Sequence, residues 1–203
     1  MEKAMNLSLQ EQAAQVMCLL KELPMVRECT LYGSLTNSTA DELSDIDIQV
    51  DVSGYDNGKF MLELTELLKG NLSICYSDYA PSMIPDKYIV SLAIDEKNPF
   101  RMVDISCCAK PHCTTVTRQQ AMDRNRMHTH MLKLWTANLK HFARGRNCRS
   151  DIVRMAQKIG LADYESKTER ILLAETLDWL TRNAPDSLHG FIASCRRAFE
   201  QLA

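Results

Sequence analysis

Apolar and polar residues alternate strictly from Asp45 to Val52. Ile46, Ile48, Val50 and Val52 fall on one parity, and Asp45, Asp47, Gln49 and Asp51 on the other. In an extended chain this places the first set in the core and the second on one accessible face. The same logic predicts strands over Val26–Tyr32, Leu72–Tyr76, Tyr88–Ile94 and Arg101–Cys107, and Gly33-Ser34 turns the chain after the first of these. Ser77 to Lys87, with two prolines, reads as a loop. Two helices interleave with the strands. Ser8-Leu9-Gln10-Glu11 has the form of a capping box and opens one that runs to about Leu23, where Pro24 stops it. The other covers Gly58 to Leu68, with Phe60, Leu64, Leu67 and Leu68 at helical spacing, and ends at Gly70.

Beyond residue 117 the period becomes helical throughout. A long helix is expected over Arg118–Arg144, with Met122, Met127, Met131, Leu134 and Leu139 among its apolar positions. Others are expected from Ser150 to Ile159, ended by Gly160, and over Ser166–Arg182 and Ser187–Leu202, parted by Asn183-Ala184-Pro185. The expectation is therefore an α+β protein that divides between Pro111 and Thr117. Residues 1–117 would form a mixed sheet flanked by helices. Residues 118–203 would form a helical bundle closing one side of a cleft.

Composition narrows the class. The 203 residues suffice for one domain or two small ones. No apolar run reaches the eighteen or so residues of a membrane span, and the start, Met1 to Asn6, lacks the pattern of a secretory signal. Of the eight cysteines, Cys18, Cys29, Cys75, Cys107 and Cys195 lie in apolar helix or strand patterns, as reduced thiols do. A cytoplasmic location is expected. Cys107, Cys108, His112 and Cys113 gather four potential ligands, but without the Cys-x2-Cys pairs of common zinc modules. Core thiols and a loop histidine account for them.

Charge is unevenly placed. Residues 1–117 carry nine Lys or Arg against seventeen Asp or Glu, whereas residues 118–158 carry ten against two. A solvated helix face explains a basic stretch of this kind by default. The functional alternative turns its cations, Arg118, Arg124 and Arg126 among them, toward phosphate oxygens.

Candidate chemistry centres on the acids. Alternate strand residues lie roughly 6.5 Å apart, so Asp45 and Asp47 can converge on ions about 3.5–4 Å apart. Asp51, on the order of 13 Å from Asp47 by the same rise, is too remote and reads as a solvated acid at the strand end. Asp104, amid strand-forming residues, supplies a third carboxylate from a neighbouring strand. Three oxygen donors with a phosphate ester suit Mg2+. Taken singly, Gly33-Ser34 is also an ordinary turn, Asp45 a turn residue after Ser44, and Asp104 a strand acid in an ion pair. Jointly they would require three coincidences of order, spacing and phase.

Gly33-Ser34, the ten-residue gap, Asp45-x-Asp47 and the later strand residue Asp104 resemble the signature of the DNA polymerase beta-like nucleotidyltransferase superfamily. The resemblance covers about residues 8–107. Within that superfamily the compact chain is similar to the bacterial nucleotidyltransferases that modify aminoglycoside or lincosamide antibiotics. The resemblance implies an NTP donor, ATP first, with its phosphates over Gly33 and Ser34. It implies two Mg2+ ions held by Asp45, Asp47 and Asp104, and transfer of AMP to a hydroxyl as pyrophosphate leaves. A small-molecule antibiotic is the first acceptor, which makes antibiotic resistance the associated role. Trp135, Tyr164 and Trp179 either line its pocket or belong to the core. Dimerisation would accord with the pairing common among such enzymes.

Three other readings stand beside this one. A protein-modifying nucleotidyltransferase of the toxin–antitoxin kind would act on a partner's tyrosine. Arg124-x5-His130 is weakly similar to a motif of the ribonucleases paired with such enzymes. An RNA- or DNA-extending enzyme would use the basic helices as a strand groove, but the sequence contains no recognisable nucleic-acid module. A nucleotide-binding protein without activity would not need all three acids.

Overall fold

The structure, a computed structural model, describes residues 8–79, 88–108, 115–124 and 126–202. Helix α1 (Leu9–Lys21) starts at a reciprocal cap, with the Ser8 N–H donating to Glu11 at 2.7 Å and the Glu11 N–H to Ser8 Oγ at 3.3 Å. Strand β1 (Glu28–Tyr32) leads into a 3-10 turn at Gly33–Leu35, and β2 (Ile46–Asp51) follows. Helix α2 (Asn57–Lys69) is capped by Asp56. Strands β3 (Tyr76–Tyr79), β4 (Tyr88–Ala93) and β5 (Met102–Cys108) complete a five-stranded sheet in the order β1-β2-β5-β4-β3. The sheet is mixed: β2 and β5 run parallel, and the other neighbours antiparallel. Together with seven helices among the described residues, this makes an α+β protein.

One sheet face is apolar. Ile46, Ile48 and Val50 of β2 lie opposite Val103, Ile105 and Cys107 of β5, and Leu92, Val90 and Tyr88 of β4 continue the same rows. Leu9, Ala13, Val16 and Leu20 of α1 and Phe60, Met61, Leu64 and Leu68 of α2 are buried in this core. Each helix thus presents one apolar stripe to the sheet.

By compactness the chain divides into one unit of Met1–Ile94 with Arg101–Arg124 and a second of Asp95–Phe100 with Asn125–Ala203. The second holds α4 (Met127–Ala143), α5 (Arg149–Lys158), α6 (Glu169–Asn183) and α7 (His189–Leu202). Helix α6 packs against the other three. Trp135 of α4 is 0% exposed, donates its indole N–H to the Leu173 carbonyl at 2.9 Å and meets Phe199 edge-on at 6.3 Å. It is a core residue, not the lining of an acceptor pocket. Gly190 opens α7 where an added Cβ would lie 2.0 Å from Glu96 Oε1, so a side chain there would collide with the carboxylate.

Several expected elements differ. The long helix over Arg118–Arg144 is two: α3 (Arg118–Arg124) belongs to the first unit and α4 to the second, with Arg126 extended between them. Met122 and Met127 on either side are 46% and 47% exposed, so neither anchors the expected continuous helix in a core. Helix α5 has Cys148 rather than Ser150 at its N-cap position, with no side-chain capping bond, and α6 begins behind Thr168, three residues past the expected start. A 3-10 turn at Asp186–Leu188 precedes α7. Strand β3 occupies Tyr76–Tyr79 rather than Leu72–Tyr76, so residues 77–79 of the expected loop are strand, and 80–87 lie outside the described residues. Residues 1–6, His112 and Cys113 also lie outside them. Among the described residues, no helix is long and apolar enough to cross a membrane.

Truncating Trp135 removes a fully buried aromatic and its one hydrogen bond. Trp135→Ala is expected to cost about 3–5 kcal/mol, read from the urea midpoint of the helical circular-dichroism signal, with Trp135→Phe costing far less.

Candidate functional site

The face of the sheet opposite α1 and α2 carries a polar row. Tyr32 of β1 lies opposite Asp47 of β2, Asp47 opposite Asp104 of β5, Asp104 opposite Ser91 of β4, and Ser91 opposite Asp78 of β3. Partners in a ladder share a face, and adjacent strands lie about 4.8 Å apart, so the pleat delivers these side chains as a line across the sheet. The line runs from half-buried at Tyr32, Asp47 and Asp104 to fully buried at Ser91 (0% exposed) and Asp78 (1%).

Asp45 immediately precedes β2, one residue outside the strand expected to contain it. The turn before it is tied by Asp41, whose Oδ1 accepts from the Leu43 N–H at 3.1 Å and the Ser44 hydroxyl at 2.8 Å. Ser44 Oγ in turn accepts from the Asp41 N–H at 2.9 Å. This closed Asx turn sets where Asp45 enters the strand. Asp51 sits at the far end of β2, half-buried rather than fully solvated, and accepts from the Ser53 N–H at 2.7 Å.

The Gly33-Ser34 turn is built against Asp47. Gly33 has φ +76°, and an added Cβ would lie 2.2 Å from Asp47 Oδ2. Glycine is therefore required twice, for its backbone conformation and because the Asp47 carboxylate occupies the volume a side chain would need. Thr36 closes the turn by donating its hydroxyl to the Gly33 carbonyl at 2.9 Å. Ser34 Oγ is buried and has no hydrogen-bond partner among the described residues.

Tyr32 reports how the charges converge. Burial is the main influence raising its phenol above the ordinary range, and a hydrogen bond with the Ser106 hydroxyl partly offsets it. The charges of Asp47, Asp104 and Asp45, in that order, push it further up. All three acids thus act on one phenol. Ser91 donates its hydroxyl to Asp104 Oδ1. Neither the tyrosine nor the serine stood out in the sequence as part of the site. The alternation of Ile89, Val90, Ser91 and Leu92 was the available signal, since it sets Ser91 on the face opposite Val90 and Leu92. Asp78 was hidden by reading its strand as a loop.

Among the described residues, no three carboxylate, imidazole or thiol groups form a ready-made metal cage. Mg2+ seldom needs one: it keeps several waters and commonly takes one or two carboxylates together with substrate phosphates. Asp47 beside Asp104, with Asp45 near, fits that donor set, and the orphaned Ser34 hydroxyl and the glycine cradle fit a phosphate at the turn.

The basic segment is spread over both units. Arg124 ends α3, whereas His130 lies in α4 with Nε2 3.0 Å from Lys158 Nζ. His128 stacks on Trp179 at 5.5 Å. Tyr164 contributes its carbonyl to the Arg149 guanidinium at 3.2 Å. No protein-family model and no curated protein sequence matches the chain.

A raised phenol has a testable consequence. The folded state holds the Tyr32 proton more tightly than the unfolded chain, whose value is about 10. Its stabilising contribution is therefore present below that pH and is lost as pH rises through the higher folded value. Phenolate absorbance, taken as wild type minus Tyr32→Phe, is expected to have a midpoint above the usual tyrosine value that falls in Asp47→Asn. A midpoint insensitive to Asp47 would contradict the electrostatic link.

Proposed function

We propose that this protein is a nucleotidyltransferase that moves AMP from ATP to a hydroxyl of a small molecule such as an aminoglycoside or lincosamide, releasing pyrophosphate. The observation that carries the reading is the Asp47 carboxylate resting on Gly33, with Asp104 beside it on the neighbouring strand and Asp45 within range. A glycine turn closed against one member of a set of acids is the arrangement a chelated triphosphate needs.

In this reading Gly33 lets the backbone approach the β- and γ-phosphates, and Ser34 offers them its hydroxyl. Asp45, Asp47 and Asp104 would be the residues that hold the cations, and the cations would supply charge neutralisation to the phosphates and acidify the attacking hydroxyl. Asp104 would take the acceptor's proton as the acceptor oxygen forms a bond to the α-phosphorus. The bond from that phosphorus to the bridging oxygen breaks, and pyrophosphate carries away the electron pair. The acid excess of residues 1–117 favours a cationic acceptor.

The test is transfer of label from α-labelled ATP with Mg2+ to separate pools of aminoglycosides, lincosamides, proteins and RNA. Label on a small molecule, with stoichiometric pyrophosphate, is expected. Label on protein or RNA would replace the acceptor, and orthophosphate without pyrophosphate would refute the reaction. Asp45→Ala and Asp47→Ala are each expected to lower turnover by about a hundredfold or more. Near-normal transfer by Asp47→Ala would refute the assignment.

A further inference from the structure

We infer that Ser91 is a positioning residue for Asp104, fixing the direction in which that carboxylate meets the nucleotide and its cation. The inference rests on the nucleotidyltransferase reading. Ser91 lies in β4 among Tyr88, Ile89, Val90, Leu92 and Ala93 and is completely buried. A buried hydroxyl is costly unless it is bonded, and packing alone would be served by alanine, which this strand uses at position 93 on the same face. The hydroxyl therefore needs a polar reason.

Its bond supplies one. A serine has a single hydrogen to give. Acids flank Ser91 on both neighbouring strands, Asp104 on β5 and Asp78 on β3, yet the hydrogen goes to Asp104 Oδ1. A bond to an ionised oxygen is among the stronger kinds. With Oδ1 committed, rotation of the carboxylate is arrested and the direction of Oδ2 is set. Outer partners of this type commonly govern metal affinity by 10- to 100-fold without touching the ion.

Mn2+ with a non-hydrolysable ATP analogue provides the probe, with free Mn2+ followed by electron paramagnetic resonance on the full chain. Wild type is expected to bind, and Asp104→Asn to bind poorly. Ser91→Ala is expected to bind about tenfold to a hundredfold more weakly, with the melting midpoint recorded alongside. Ser91→Thr, which restores a hydroxyl, is expected to recover affinity. Should the alanine variant not fold, Ser91→Cys serves instead, being close in volume but a weak donor. Wild-type affinity in a folded Ser91→Ala or Ser91→Cys would overturn the role of Ser91 and leave the enzymatic reading intact. Failure of wild type to bind the Mn2+–nucleotide pair would overturn both.

Discussion

Two carboxylates on adjacent parallel strands, in register and on one face, are the constraint around which this sheet is organised. Nothing in the packing requires two acids there, since the opposite face of β2 and β5 already supplies a full apolar core. Asp47 is moreover pressed onto Gly33, whose φ of +76° and missing Cβ make room for its carboxylate. Acids kept together beside a glycine are what the proposed cation and nucleotide would require of the sheet.

The rest of the sheet serves that placement. Because β2 and β5 are parallel, the chain must leave β2, pass through α2, β3 and β4, and return, which brings β4 beside Asp104. Ser91 then anchors the acid from its buried side, while Tyr32 and the turn flank Asp47 from the exposed side. The site is graded, wet at β1 and dry at β3 and β4, so that its acids are gripped at one end and accessible at the other.

Much of this was legible in the chain. Strict alternation over residues 45–52 set the face of Asp47, and the Arg101–Cys107 pattern set that of Asp104, because a period of two leaves no freedom in phase. The Ser8–Glu11 cap was equally readable, its chemistry being local. What escaped depended on partners distant in sequence. Asp78 reads as loop until β4 pairs with its strand, and Ser91 is unremarkable until Asp104 stands opposite. Tyr32 was visible as the last residue of a strand, but its place among the acids came from the β1–β2 register. The break between α3 and α4 escaped because methionines at helical spacing look alike whether or not they are buried.

The most direct measurement is anomalous diffraction from crystals grown with Mn2+ and a non-hydrolysable ATP analogue. The account requires a manganese peak bounded by the carboxylates of Asp47 and Asp104, with Asp45 adjoining and the analogue's phosphates on the Gly33-Ser34 turn. Manganese and nucleotide bound elsewhere, with those carboxylates engaged by other protein groups, would contradict it.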